Sequence, residues 1–75
     1  MLGNWEGFHY FRSDGSMATG WQLIQEEWYY FNPDGSRYNG WLLWYGKWYY
    51  LQNGVMQTSK AVDGFWLDEN GVWIP

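Results

Sequence analysis

Cysteine is absent from the 75 residues of this chain, so no disulfide can stabilise a domain of this small size. His9 is the only histidine, and without a second histidine or a cysteine the sequence offers no zinc site. No run of about 18 apolar residues occurs, and a membrane-spanning helix requires such a run. The opening MLGNWEGF lacks the basic and apolar regions of a signal peptide, so we expect any export signal to lie upstream of this sequence.

Basic residues are few: 4 lysines and arginines stand against 8 acids, which gives a net charge of −4. Because no basic patch is interleaved with the aromatic residues, the sequence argues against a nucleic-acid surface. No serine has a plausible general base. The acidic pairs Glu26-Glu27 and Asp68-Glu69 fall in or beside turns, where acids are more often solvated than catalytic. We therefore predict a non-enzymatic module that uses no metal and no cofactor.

Aromatic residues are what the chain has in excess, with 8 Trp, 7 Tyr and 4 Phe. A domain this small has difficulty burying enough surface to be stable. Each aromatic side chain, however, buries roughly 150–250 Å², and pairing between rings adds further stabilisation. We expect one domain, 1–75, with a largely aromatic core.

The stretch 40–51, GWLLWYGKWYYL, holds the densest group of rings and predicts a β-hairpin. Gly46 can take the positive φ that a two-residue turn needs, which centres the turn on Tyr45 and Gly46. The expected cross-strand pairs are Trp44 with Lys47, Leu43 with Trp48, Leu42 with Tyr49 and Trp41 with Tyr50. Alternation along the strands puts Trp41, Leu43, Trp48 and Tyr50 on one face and Leu42, Trp44, Tyr49 and Leu51 on the other. Both faces are apolar, so each needs a neighbour.

The neighbours are copies of the same hairpin at a spacing of about 20 residues. GWQLIQEEWYYF at 20–31 precedes the central copy, FHYF at 8–11 aligns with WYYF at 28–31, and GFWLDENG at 64–71 aligns with WYYFNPDG at 28–35. Met1 falls on the position of Trp21, which indicates that the first copy has lost its Gly-Trp opening. Further turns are expected near 5–7, at 25–26 and at 63–64. Regular repeats with irregular ends predict an all-β solenoid of stacked β-hairpins, with units of about 1–19, 20–39, 40–58 and 59–75 and the end units as caps.

The repeated pattern resembles the choline-binding or cell-wall-binding repeat of Gram-positive bacteria and their phages. It is carried by Gly20-Trp21 with Trp28-Tyr29-Tyr30-Phe31, by Gly40-Trp41 with Trp48-Tyr49-Tyr50-Leu51, and by Gly54, Met56 and Thr58. The resemblance covers nearly the whole chain. It implies a secreted, cell-wall-associated module that attaches a surface protein or a cell-wall hydrolase to phosphocholine on teichoic acid. The spacing is also similar to the glucan-binding repeats of streptococcal glucansucrases and to the carbohydrate-binding repeats of clostridial toxins.

A quaternary ammonium group cannot donate a hydrogen bond, so proteins hold it against several aromatic faces at about 0.5–2 kcal/mol per contact. In the family, each cage takes two Trp positions from one repeat and the last aromatic of the WYY group from the next. Carried over by position, one choline site is Trp21, Trp28 and Tyr50, and the next is Trp41, Trp48 and Trp66. Weaker candidates are Phe8 with Tyr30, and Met56. Tyr29, Tyr49, Phe31 and Leu51 fall on the opposite face, where a packing role is expected.

Arg37 replaces the methionine of the family pattern in the second repeat. Its guanidinium is expected either to repel a bound cation or to stack on a ring in its place.

The sequence is also compatible with two other functions. A glycan-binding module would use the same rings as flat stacking platforms, although the pattern offers few hydrogen-bonding side chains beside them. A structural or self-associating domain, such as a homodimer, would use the rings only as core. Trp44 and Tyr45 are additional aromatics that could form a sugar-stacking surface or a dimer contact.

Overall fold

The computed structural model describes residues 3–7 and 9–75, and all the regular structure in this part of the chain is β-strand. The strands are β1 (Asn4–Glu6), β2 (His9–Phe11), β3 (Gly20–Ile24), β4 (Glu27–Phe31), β5 (Gly40–Trp44), β6 (Lys47–Gln52), β7 (Val55–Met56), β8 (Lys60–Val62), β9 (Phe65–Leu67) and β10 (Trp73–Ile74). The predicted all-β fold is confirmed. No helix long and apolar enough to cross a membrane occurs among these residues.

The described strands form four antiparallel hairpins, β1–β2, β3–β4, β5–β6 and β8–β9. The central hairpin has the predicted register, from Trp44 opposite Lys47 to Trp41 opposite Tyr50. Its turn residues both have positive φ, 48° at Tyr45 and 78° at Gly46, as a tight two-residue hairpin turn requires. The turns predicted at 25–26 and 63–64 are confirmed by the registers of β3–β4 and β8–β9.

The first hairpin differs from the prediction. The fixed repeat spacing places Trp5 in a turn, but Trp5 lies in β1 opposite Tyr10. This is the register in which Trp21 lies opposite Tyr30 in the next hairpin. The first unit has therefore kept an opening tryptophan and has a shorter hairpin, which an alignment at constant spacing cannot detect. Phe8, predicted to begin the second strand, lies outside the described residues.

After each hairpin the chain turns back against the hairpin's own last strand. In every unit one residue of the returning segment lies opposite the same strand position, and we call its place the return position. Met17 lies opposite Phe11, Arg37 opposite Phe31, Met56 opposite Leu51 and Trp73 opposite Leu67. The third return segment, β7, also pairs with β4, so β3 to β7 form one sheet of order β3-β4-β7-β6-β5.

Aspartates close two of the turns that lead to the return position. The Asp34 carboxylate accepts hydrogen bonds from the Ser36 hydroxyl at 2.6 Å and from the Ser36 backbone N–H at 2.9 Å. Asp14 accepts the same pair from Ser16, at 2.7 and 2.9 Å. Because these bonds stabilise the charged carboxylate, the pKa of both aspartates lies below its usual value.

The core contains one large side chain from each of three successive hairpins, Phe31, Leu51 and Leu67, and none of them is exposed. The units are also packed closely through glycines. Gly71 has a φ of 84°, and a Cβ atom there would lie 2.7 Å from the Sδ atom of Met56, so a larger residue would be strained and would have to displace the Met56 side chain. The stack is elongated, with extents of 40 × 22 × 22 Å.

Candidate functional site

Within the described residues, each pair of consecutive hairpins meets at an aromatic junction built from the same strand positions. A Trp of one hairpin contacts an aromatic ring of the next hairpin. The ring centroids are 5.3 Å apart for Trp5 and Tyr29, 5.2 Å for Trp21 and Tyr49, and 5.9 Å for Trp41 and Phe65. We call these junctions 1, 2 and 3 in chain order.

The pleat of the strands explains why each junction has a ring wall. Trp21 lies opposite Tyr30 and Leu23 lies opposite Trp28, so the two tryptophans share one face of their hairpin. Their rings are nearly perpendicular, at 84°, with centroids 6.2 Å apart. Tyr30 lies behind Trp21 at 5.1 Å and fixes its ring from within the same hairpin. The outer face of Trp21 is thereby presented to the next hairpin.

Junction 2 forms an open pocket of about 320 Å³, a volume suited to a small organic ligand. Its walls are Trp21, Trp28, Trp44, Tyr49, Met56 and Asn70. Trp28 lies in strand β4 and keeps 43% of its surface exposed. An exposed tryptophan at the mouth of an aromatic pocket is available to a ligand.

Junction 3 forms a second pocket of about 320 Å³, lined by Trp41, Trp48, Phe65 and Trp73. Phe65 lies edge-on to Trp41 at 5.9 Å and edge-on to Trp73 at 5.7 Å. The rings of Trp48 and Phe65 are both exposed at its mouth. Trp73 occupies the return position, which Met56 fills at junction 2.

Junction 1 has a different content. The guanidinium carbon of Arg37 lies 4.3 Å from the Trp5 ring centroid and 5.9 Å from that of Tyr29. Arg37 occupies the return position of its unit. A side-chain cation is therefore already placed against the aromatic rings of this junction.

The electrostatic character of junctions 2 and 3 follows from their walls. The described residues that line them carry no formal charge. Aromatic ring faces present the negative side of a quadrupole, which attracts a cation without requiring a hydrogen bond from it. In the described residues no group of three metal-binding side chains occurs. The walls of both pockets are suited to a poorly hydrated organic cation.

The structure brings the predicted tryptophans together in pairs, Trp21 with Trp28 and Trp41 with Trp48. The third ring that lines each pocket is not the one in the carried-over set. Tyr49 lines junction 2 where the carried-over set has Tyr50, and Phe65 lines junction 3 where that set has Trp66.

The reason lies in the alternation of side chains. Tyr50 shares a face with Trp41 of its own hairpin and contacts it at 5.1 Å. Because the hairpins stack in one orientation, one face of each hairpin meets the opposite face of the next. The ring that contacts the preceding unit therefore lies on the face opposite to that of Tyr50, one residue earlier in the strand. Tyr49, expected to have a packing role, is that ring. Trp66 lies opposite Ala61 in its own hairpin and is half exposed.

The weaker candidates have three different positions. Met56 lines junction 2, and Tyr30 supports Trp21 without lining either pocket. Phe8 lies outside the described residues. Trp44, noted in the sequence only as an additional aromatic, lines junction 2 and has its ring 6.2 Å from that of Trp21. The sequence feature that predicts the position of Trp44 at junction 2 is its place on the same hairpin face as Tyr49.

The repeat pattern and the aromatic junctions can now be compared with known proteins. Residues 18–60, more than half of the chain, match the choline-binding repeat family. The chain belongs to this family. The comparison of this choline-binding repeat protein with curated protein sequences gave no match.

Solved structures of choline-binding proteins are similar to it. Choline binding protein F from Streptococcus pneumoniae is 35% identical with a TM-score of 0.79, over 100% of this chain and 26% of its own. The choline binding domain of Spr1274 in Streptococcus pneumoniae is 36% identical with a TM-score of 0.78, over 97% of this chain and 93% of its own. The pneumococcal cell wall endolysin from phage Cp-1, complexed with choline, is 30% identical with a TM-score of 0.76, over 97% of this chain and 24% of its own. This choline-binding repeat protein thus spans about a quarter of the length of choline binding protein F and of the phage endolysin.

Proposed function

We propose that this chain is a non-catalytic module that holds choline groups at junctions 2 and 3. Through them it attaches the protein to which it belongs to choline-bearing teichoic acid in the Gram-positive cell wall. The observation that carries the proposal is the pair of open, uncharged aromatic pockets between consecutive repeats.

The chemistry of the ligand matches these pockets. A trimethylammonium group is charged but has no N–H to donate, so a polar or carboxylate-lined site gives it little that water does not. Aromatic faces provide attraction and shelter together, at about 0.5–2 kcal/mol for each ring. At junction 2, Trp21, Trp28 and Tyr49 supply three such rings around one pocket, with Trp44 beside them.

The family comparison supports the same ligand. The phage Cp-1 endolysin is 30% identical over 97% of the length of this chain, and its structure was solved with choline. Support from an uncharged aromatic pocket and from a choline-bound relative points to one class of ligand.

Thermal unfolding with and without choline tests the proposal, with Trp fluorescence and isothermal titration calorimetry giving affinity and stoichiometry. A ligand that binds only the folded state at 100 times its Kd stabilises it by about 2.7 kcal/mol per site. For a domain of this size that corresponds to a rise in Tm of about 10 °C or more. We expect two choline groups bound per chain.

Ethanolamine is the matched control ligand, because it keeps the hydroxyl and the positive charge but carries N–H groups that water solvates well. It should bind much more weakly than choline.

The double variant Trp28→Leu with Trp48→Leu removes one ring from each pocket and should lose most of the choline response. A flat titration at high choline with folded protein would contradict the proposed function, and saturable binding of dextran would favour a glycan-binding module in its place.

A further inference from the structure

Arg37 occupies a place that the chain fills with uncharged side chains in its other units. The return positions are Met17, Arg37, Met56 and Trp73 in chain order. At junctions 2 and 3 the residue at the return position, Met56 or Trp73, forms part of the pocket wall. The residue at the corresponding place of junction 1 is the only one of these three with a charge.

The Arg37 side chain is held in junction 1 from several sides. Its stem runs over Gly54, where a Cβ atom would lie 3.0 Å from the Arg37 Cβ and 3.3 Å from its Cδ. The guanidinium donates a hydrogen bond from Nη1 to the Asn53 carbonyl oxygen at 3.3 Å. Its carbon lies 4.3 Å from the centroid of the Trp5 ring, within the distance of a cation–π contact, and 5.9 Å from that of Tyr29.

Trp5 and Tyr29 are the counterparts in junction 1 of two of the rings that form junction 2, Trp21 and Tyr49. Trp5 lies opposite Tyr10 as Trp21 lies opposite Tyr30. The distance between the rings that cross the junction is nearly the same, 5.3 Å in junction 1 and 5.2 Å in junction 2. Two rings of the frame therefore recur in junction 1. Its other described wall positions differ, because Ile24, which is buried, takes the strand position of Trp44 and a charged residue takes the return position.

We propose that Arg37 is an internal cation that occupies junction 1 in the manner in which choline occupies junctions 2 and 3, so that this junction takes up no choline. The inference rests on the proposed function, because it assigns which junctions are sites. A second cation brought to the Trp5 ring would meet a like charge at short range and would have to displace an aromatic contact already made. Arg37 thereby sets the number of choline groups that the module holds.

A pair of exchanges at the return position tests this. Arg37→Met gives junction 1 the residue that the chain itself uses at Met17 and Met56, and it keeps the stem that packs on Gly54. Met56→Arg places a guanidinium at junction 2. We expect three choline groups per chain in Arg37→Met, two in the unchanged protein and one in Met56→Arg.

The indole N–H signals in ¹H–¹⁵N NMR spectra report each junction separately, from Trp5 at junction 1, Trp28 at junction 2 and Trp48 at junction 3. In the unchanged protein, choline should shift the signals of Trp28 and Trp48 and leave that of Trp5 in place. In Arg37→Met the Trp5 signal should shift with choline as well. In Met56→Arg the Trp28 response should be lost or weakened at least tenfold.

The outcomes separate the two proposals. A Trp5 signal that titrates with choline in the unchanged protein overturns the role of Arg37 while the proposed function stands. So does a folded Arg37→Met variant that still binds two choline groups, or a folded Met56→Arg variant that keeps full affinity at Trp28. If the unchanged protein binds no choline at any junction, and Arg37→Met binds none either, both proposals fail together. Should Arg37→Met not fold, the Trp5 signal of the unchanged protein and the Met56→Arg variant decide the question.

Discussion

Replacing Tyr49 by leucine removes one ring from junction 2 and keeps an apolar side chain between the stacked hairpins. Tyr49 lines the pocket and contacts Trp21 with 5.2 Å between ring centroids. One cation–π contact contributes about 0.5–2 kcal/mol, so the Kd for choline at junction 2 should rise roughly 2-fold to 30-fold at 1.4 kcal/mol per factor of ten. The affinity of junction 3, which Tyr49 does not line, should stay the same.

The assay is a choline titration followed by the indole N–H signals of Trp28 for junction 2 and Trp48 for junction 3. Tyr50→Leu is the matched control, because Tyr50 is the adjacent ring and contacts Trp41 on the other side of the hairpin. It should leave the Trp28 titration unchanged. An unchanged Kd at Trp28 in Tyr49→Leu, or a weakened one in Tyr50→Leu, would refute the assignment of Tyr49, and not Tyr50, to the choline site at junction 2.

Three further predictions follow from burial and hydrogen bonding. Trp28→Ala should weaken choline binding at junction 2. Because 43% of this side chain is exposed, the variant should lose less stability than the about 3–5 kcal/mol that is typical of buried aromatic residues. Trp28→Phe should mainly weaken binding; urea unfolding measures the stability of both variants and calorimetry their affinity for choline. Leu51→Ala should cost about 2–5 kcal/mol in urea unfolding, because Leu51 has no exposed surface. Ser36→Ala should raise the pKa of Asp34, since it removes the hydroxyl hydrogen bond that contributes most to lowering it. In the intact protein the stabilisation from Asp34 is present above the unfolded-state pKa and is lost as pH falls through the lower folded-state value; an NMR titration of the Asp34 carboxyl that is the same in both proteins would contradict this.

The hairpins were predictable because local signals agree with the repeat. Gly46, Gly64 and the alternation of apolar residues define the turns and the registers without reference to the rest of the fold. The register Trp44 to Lys47 and Trp41 to Tyr50 is the one the sequence predicts. The family resemblance then identified which tryptophans are brought together.

Position along the chain alone does not decide which ring lines each pocket beside the two tryptophans. Which strand face meets the preceding hairpin depends on the orientation of the stacked units, and an error of one residue moves a side chain to the opposite face. Tyr49 and Tyr50 are both aromatic, so residue type did not separate them. At the fourth hairpin the same difference of one residue places Phe65, and not Trp66, in the wall of junction 3.

The shortened first unit concealed one further correspondence. Trp5 is the counterpart of Trp21, but its hairpin has a shorter connection, so a fixed spacing of about 20 residues aligns Met1 with Trp21 instead. The turn after Leu51 is also one residue shorter than the turn after Phe31, so constant spacing does not align Arg37 with Met56. The family pattern aligned them nevertheless. The bridges Phe31 to Arg37 and Leu51 to Met56 agree with that alignment, because they depend on strand pairing and not on residue count.

Retention on a resin that bears quaternary amines tests whether the aromatic junctions bind choline. A protein with a net charge of −4 will bind such a resin at low salt by ion exchange alone, so the measurement is made at about 1 M salt, where the screening length falls to roughly 3 Å. A cation enclosed by aromatic rings is sheltered from much of that screening. We predict retention at high salt, elution by free choline at the same ionic strength, and no elution by glucose oligomers. Elution by salt alone would contradict the claim that the aromatic junctions bind choline.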